Sequence, residues 1–211
     1  MSSRIAGLVL AGGRATRLGG GDKPLRMLAD TPMISHVIHR LAPQVDEMAI
    51  SANGDPMRFS AYGLPVLADS GPAGQAGPLS GILSGLEWLR RETNCASLLT
   101  VAGDTPFFPA DLAHRLSAAA EGYPERVAVS SSGERRHPVF ALWPVSLTDE
   151  LALFLVEGKT FKVNAFLESV DVATVEFPLI PLADGKIDPF FNVNTPEDLA
   201  EAEEIVRRMK S

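Results

Sequence analysis

The chain has 211 residues, 45% hydrophobic and 21% charged, with a formal net charge of −7 at neutral pH. That length allows one large domain or two small ones with a sizeable core, and the acidic balance argues against a general nucleic-acid surface, which would be basic. The single cysteine, Cys95, excludes an intramolecular disulfide and points to a reducing compartment, where it reads as a small buried hydrophobe.

The apolar run Ile5–Leu10 reads as a buried strand. After Arg4 it superficially imitates a signal peptide, but it is at the minimum length for one, and the loop that follows has clearer work than being cut away. Between Gly12 and Lys23 stand five of the chain's 18 glycines together with Arg14, Arg17 and Lys23. Glycine lets backbone N–H groups turn toward a ligand, and clustered cations match phosphate oxygens, so the loop reads as a phosphate cradle rather than a flexible surface turn. It is neither G-x-G-x-x-G, since Arg14 follows Gly13, nor a P-loop, since Asp22 precedes Lys23 and Pro24 follows it. In an acidic chain these local cations imply a small anionic ligand.

Thr31 then supplies an N-cap and Pro32 a first helical residue, for a helix to about residue 41. Glu47–Ser51 reads as a strand, Asp55-Pro56 as the start of a brief helix, and 65–68 as a third strand. A loop over 69–78 leads to a helix over 79–91, with Leu79, Ile82, Leu83, Leu86 and Leu89 on one face. A fourth strand over 97–101 and a helix over 109–120 complete a βα alternation. This predicts an α/β fold: a three-layer, doubly wound, mostly parallel sheet. Farther on, strands over 127–131 and 139–143 flank a polar turn over 132–138. Helices follow over 147–156 and 162–167 with Gly158 between them, then a strand over 173–177. Thr195, Pro196 and Asp198 mark the start of a last helix ending near Met209. No linker or repeat divides the chain, so one domain over 1–211 is expected, with no segment near the roughly 20 apolar residues of a membrane span. The expectation is a soluble, cytoplasmic protein.

Four polar clusters fall at carboxyl ends of strands or just before the last helix, where open α/β sheets hold ligands: Ser51-Ala52-Asn53, Asp69-Ser70, Gly103-Asp104-Thr105-Pro106 and Asn192-Val193-Asn194. Each alone reads equally as a turn or cap. Asp104 is the sharpest, a carboxylate stiffened by Pro106 beside a phosphate-holding loop, which suits a hard cation such as Mg²⁺. His36 and His39 read as ordinary surface or core-edge histidines, whereas His137 before Pro138 reads as a substrate contact or a turn residue.

Together, Leu10-Ala11-Gly12-Gly13, Arg17-Leu18-Gly19-Gly20, Asp22-Lys23, Gly77-Pro78-Leu79-Ser80-Gly81, Gly103-Asp104-Thr105-Pro106, His137-Pro138 and the run from Phe191 to Leu199 resemble the molybdenum cofactor guanylyltransferases, a branch of the nucleotidyltransferase superfamily. The resemblance spans nearly the whole chain. It implies a Rossmann-like nucleotidyltransferase fold, with a nucleotide half over about 1–110 and an acceptor half over about 111–211. It implies nucleotide binding by Leu10, Ala11, Gly12, Gly13, Lys23, Asn53, Asp69, Gly81 and Asp104, with Mg²⁺ on Asp104, and catalytic roles for Arg17, Lys23 and Asp104. Asn192 and Asn194 fall near the acceptor phosphate, with His137 as a further acceptor contact. Gly12 stands where relatives that transfer CMP carry alanine, which favours a purine. Leu18 replaces a common methionine, Gly103 a frequent cysteine, and the segment Lys159-Thr160-Phe161-Lys162 an arginine, whose bidentate fork lysine lacks.

The implied activity is transfer of GMP from GTP to the phosphate of molybdopterin or Mo-molybdopterin, releasing pyrophosphate, with molybdoenzyme maturation proteins as partners. The absence of a Ser-His-Asp or Cys-His arrangement agrees with a reaction that needs positioning and charge neutralisation more than a nucleophile. The alternatives are a nucleotidyltransferase that uses CTP or a sugar phosphate, and a non-catalytic nucleotide-binding module that delivers cofactor. Retention of both Lys23 and Asp104 argues against the second.

Overall fold

The first strand, β1 (Ile5–Leu10), is apolar on both faces, and this places it inside a sheet with helices on either side. A computed structural model describes residues 4–12, 22–70, 77–158, 160–182 and 185–209. After β1 come β2 (Met27–Leu28), β3 (Thr31–Pro32), α1 (Met33–Leu41), β4 (Glu47–Ser51), β5 (Val66–Leu67), α2 (Pro78–Glu92), β6 (Ser97–Ala102) and α3 (Leu112–Ala120). The chain continues through β7 (Val127–Ser132), β8 (Arg135–Pro144), α4 (Thr148–Glu157), α5 (Val163–Leu167), β9 (Val172–Glu176), β10 (Ile180–Leu182), β11 (Gly185–Ile187) and α6 (Pro196–Met209).

Seven strands form one sheet in the order β5-β4-β1-β6-β8-β7-β9. β1 pairs parallel with β4 and β6, β4 with β5, and β7 with β9, while β8 runs antiparallel between β6 and β7. The mostly parallel, three-layer architecture expected from the alternation is therefore present. On one face, Ala6, Leu8, Leu98 and Trp143 pack against α2, α4 and α5. On the other, Val9, Ile50, Leu99 and Leu142 pack against α1 and α3. Fully buried Trp143 satisfies its one polar atom by donating from Nε1 to Thr100 Oγ1 at 3.0 Å. A third cluster joins α6 to Leu28, Met33, Phe107, Ile187 and Val193.

Three expectations need correction. Thr31 does not cap a helix: it pairs in a small hairpin with Leu28, its hydroxyl lies 2.7 Å from His36 Nε2, and α1 begins after Pro32. The helix expected over 109–120 starts only at Leu112. The polar turn expected over 132–138 shrinks to Gly133 and Glu134, with φ of 51° and 66°, the two left-handed residues of a tight hairpin turn. β8 thus begins at Arg135, and its register slips between Val129 and Ser130 of β7, because Pro138 has no N–H for the ladder. The β10–β11 hairpin had no counterpart in the sequence pattern.

Candidate active site

Because β5, β4, β1 and β6 are parallel neighbours, their carboxyl ends bring Asp69, Asn53, Gly12 and Asp104 to one edge in that order. Antiparallel β8 reaches the same edge with its first residues, and β7 reaches it with its last. Three of the four polar clusters thus line one rim, and backbone donation from Val193 N to Asp104 O at 3.0 Å ties the fourth to it.

Lys23 is the centre of the β6 side. It opens a 3-10 turn, Lys23–Leu25, and is only 8% exposed. Its Nζ donates to Asp104 Oδ2 and, at 2.5 Å, to Asn194 Oδ1. A buried ammonium needs such partners to offset lost hydration. The Thr105 hydroxyl donates to Asn192 Oδ1, so both asparagines face the turn after β6. Asn194 is held from behind by the helix start: Asp198 Oδ2 accepts from the backbone N–H of Asn194 and Thr195, and Thr195 Oγ1 accepts from Asp198 N. This reciprocal cap is the one the Thr195…Asp198 spacing predicts.

On the other side of β1, Asn53 and Asp69 exchange two hydrogen bonds. Asn53 Nδ2 donates to Asp69 Oδ2 at 2.7 Å, and Asp69 N donates to Asn53 Oδ1 at 3.0 Å. Between the two groups lies Gly12, exposed, with no atom of the described residues within 4 Å of where a Cβ would stand. Leu10 and Ala11 underlie it; Leu10 O accepts from Gly103 N at 2.9 Å, and Ala11 N donates to Ser51 O at 2.8 Å. Gly81 is buried in the first turns of α2, where a Cβ would stand 2.5 Å from Ser51 Oγ and 2.8 Å from Leu10 Cδ2. It lets the helix close against the floor of the rim. Gly13 and Arg17 lie outside the described residues, as do Arg14 and Lys159.

His137 sits at the start of β8 and is 9% exposed. Its Nε2 is 2.7 Å from Ser132 Oγ and 3.5 Å from Asp188 Oδ2, and its ring lies against Phe190 with centroids 4.5 Å apart. Burial holds its pKa below the ordinary histidine value; Asp188 pulls it back upward, Arg135 pushes it down and Glu176 raises it. The ring meets protein groups on these sides, so His137 supports the β8 side of the rim from within. Cys95 is buried, and burial pushes its thiol pKa up, as fits a packing residue.

Two residues of this rim escaped the sequence pattern. Arg58 reaches from the 3-10 stretch Pro56–Tyr62 to the Asp22 carboxylate and the Asn53 carbonyl, joining the residue before Lys23 to the Asn53 loop. Asp188 accepts from Ser132 Oγ at 2.7 Å and from Phe190 N at 2.8 Å. The Asp188-Pro189 dipeptide is a turn signal that could have drawn attention to it; Arg58 carries no such signal. Among the described residues no three His, Cys, Asp or Glu side chains gather as a metal cage, and no helix is long and apolar enough to cross a membrane.

A mostly parallel sheet whose carboxyl edge holds the Lys23–Asp104 pair on one side of Gly12 and the Asn53–Asp69 pair on the other has the arrangement of a Rossmann-like nucleotidyltransferase fold. Residues 7–172 match the sequence model of the MobA-like NTP transferase domain, and the chain belongs to that family. It is 50% identical, over the full length of both chains, to a molybdenum cofactor guanylyltransferase of Mesorhizobium japonicum. It is 48% identical to one from a Bradyrhizobium species, covering 97% of this chain and 94% of that one. The crystal structure of molybdopterin-guanine dinucleotide biosynthesis protein A from Archaeoglobus fulgidus superposes with a TM-score of 0.74 at 26% identity, covering 97% of this chain and all of that one. A CMP:2-keto-3-deoxy-manno-octonic acid synthetase shares the fold, with a TM-score of 0.69 at 14% identity over 99% of this chain and all of that one.

Proposed function

We propose that the chain transfers GMP from GTP to the phosphate of molybdopterin, releasing pyrophosphate, with the nucleotide held by the first half of the chain and the acceptor by the second. The observation that carries this reading is the pairing of Lys23 with Asp104 and Asn194 on one side of Gly12 and of Asn53 with Asp69 on the other. A triphosphate laid along the rim meets a cation at Lys23, and the nucleoside end would lie by Gly12, where no described residue comes within 4 Å of a Cβ. Asn192 and Asn194, on the far side of Lys23, lie where a second phosphate would approach the first.

The chemistry follows from charge. An acceptor phosphate is already nucleophilic, so the obstacle is bringing two anions into line. Lys23 lowers that repulsion if its ammonium moves from Asp104 to the triphosphate, and Asp104 is then a carboxylate free to hold a hard cation. The residues fit Mg²⁺: a lone carboxylate whose present partner is already a cation suits an ion that takes its other ligands from phosphates and water. When bound, Mg²⁺ supplies neutralisation of the phosphate oxygens. Arg17, from the same glycine-rich loop, completes the proposed charge set.

The test is turnover of labelled GTP with molybdopterin and Mg²⁺, beside CTP and UTP. Formation of the guanine dinucleotide with stoichiometric pyrophosphate is expected. Cytidylyl or uridylyl transfer at equal efficiency, or GTP binding without pyrophosphate release, would overturn the proposal.

A further inference from the structure

We propose that Asp188 is a positioning residue for the acceptor side of this reaction, acting through Ser132 and His137 on the segment that carries Asn192 and Asn194. This rests on the reading that those asparagines face the acceptor phosphate. Ser132 has one hydroxyl proton and donates it to Asp188 Oδ1 at 2.7 Å; the proton between Ser132 and His137, 2.7 Å apart, therefore belongs to His137 Nε2. The result is a directed chain, His137 to Ser132 to Asp188, in which each bond polarises the next and the carboxylate takes the last proton.

Asp188 is the point where three pieces of backbone meet. Ser132 ends β7, His137 stands near the start of β8, and Asp188 follows β11. Its Oδ1 also accepts from Phe190 N at 2.8 Å, and its carbonyl accepts from Phe191 N at 3.0 Å, which bends the chain into the turn before Asn192. The Phe190 side chain drops into an aromatic nest against His137, Phe140 and Phe177, at centroid distances of 4.5, 4.8 and 5.6 Å. Two residues farther on, Asn192 accepts from Thr105, and Val193 N donates to Asp104 O at 3.0 Å. The segment is thus clamped on one side to the acceptor-side strands and on the other to the turn carrying Asp104. Asp188 holds the first clamp without reaching the second, so its removal frees one end of the asparagine segment and leaves the Asn53–Asp69 pair alone.

The test compares Asp188→Ala, Asp188→Asn and Ser132→Ala in the full chain. Asparagine keeps an oxygen that accepts from Ser132 and Phe190 N, whereas alanine keeps none. For Asp188→Ala and Ser132→Ala, a rise of roughly tenfold or more in the KM for molybdopterin is expected. GTP affinity should fall by much less than molybdopterin affinity, since the Asn53–Asp69 pair shares no partner with Asp188 and Lys23 keeps its bond to Asp104. Asp188→Asn should recover most of the loss. In side-chain amide NMR spectra the Asn192 and Asn194 signals should move in the alanine variants while Asn53 stays in place. Parallel loss of affinity for both substrates, failure of asparagine to rescue, or unmoved Asn192 and Asn194 signals would overturn the positioning role. If Asp188→Ala fails to fold, Ser132→Ala and Asp188→Asn carry the comparison. A wild-type protein that transfers no GMP would instead sink the proposed function, while the NMR comparison would still decide whether Asp188 holds the segment.

Discussion

The two ends of the sheet build their share of the rim by different means. On the β5-β4-β1-β6 side every strand runs the same way, so Asn53, Asp69 and Asp104 arrive on the residues just after their own strands, and the Asn53–Asp69 pair with Arg58 fixes the edge. On the β8-β7-β9 side the antiparallel strand brings its beginning rather than its end, and the asparagines come from a segment belonging to no strand. That segment depends on distant partners: Asp188 on Ser132, Asn192 on Thr105, and Asn194 on Lys23. Parallel strands deliver functional groups by local sequence, while the mixed side assembles them by tertiary contact. The first side should therefore fail as a local pair, and the second as a network of distant partners.

Asp104, where the two sides meet, carries the largest expected effect. Asp104→Asn keeps the size of the side chain and removes the charge that faces Lys23. Turnover should fall roughly a hundred- to a thousandfold, by analogy with the loss of one preorganised charge-stabilising group. The fold should lose about 1–3 kcal/mol, from an ammonium left without its carboxylate. Steady-state kinetics beside thermal melts check both; a fully active variant removes Asp104 from the chemistry.

Lys23→Met sharpens the same junction. Since Lys23 already covers the Asp104 carboxylate, a divalent cation held there as proposed would compete with the ammonium in the absence of nucleotide. Removing the ammonium should tighten Mn²⁺ binding to the nucleotide-free protein by roughly tenfold, a coupling of ordinary allosteric size. The free Mn²⁺ signal in electron paramagnetic resonance reads this directly. Unchanged or weaker Mn²⁺ binding would show that the two cations do not share the site.

Gly12→Ala tests the parallel side alone. A Cβ there meets no described residue within 4 Å, and Gly12 has no left-handed φ, so stability should change by less than about 0.5 kcal/mol. A several-fold loss of GTP affinity without a comparable loss for CTP is the expected outcome in a binding titration, because a methyl group would then intrude on the proposed nucleotide space. A large drop in melting temperature would make Gly12 a structural residue instead.

The contrast between the sides also explains what the sequence made legible. The strands Ile5–Leu10 and Glu47–Ser51 read cleanly because they are short apolar runs ending in turn residues, and Asn53, Asp69 and Asp104 stand just beyond such runs. β8 was cut short because Arg135, Arg136 and Pro138 do not look like strand; the hairpin turn at Gly133 and Glu134 and the register slip let them belong to one. The small hairpins are too short for periodicity to detect. Lys23 was visible as a cation in a glycine-rich loop, but its burial against Asp104 and Asn194 joins residues 81 and 171 positions away, and no local pattern encodes such a contact. Arg58 and Asp188 were missed for the same reason.

The smallest expected effect is pH-dependent and belongs to the mixed side. His137 has its pKa lowered in the folded protein, chiefly by burial, from an ordinary value of 6.5. Asp188 and Glu176 oppose that shift, and Arg135 adds to it. In the unfolded chain the imidazole takes up its proton near the ordinary value; in the folded chain it resists. The unfolded state therefore binds more protons across the interval between the lowered value and 6.5, so stability rises with pH there. The contribution is complete above the ordinary value and is lost as pH falls through the lowered one. Melting temperature should thus drop more steeply on acidification for the wild type than for His137→Gln, which has no proton to gain. The same acidification loads a positive charge beside the Ser132–Asp188 link, so the Asn192 and Asn194 amide signals should shift with the titration while Asn53 does not. Equal acid sensitivity of wild type and His137→Gln would assign the loss to other groups and remove the histidine from the network.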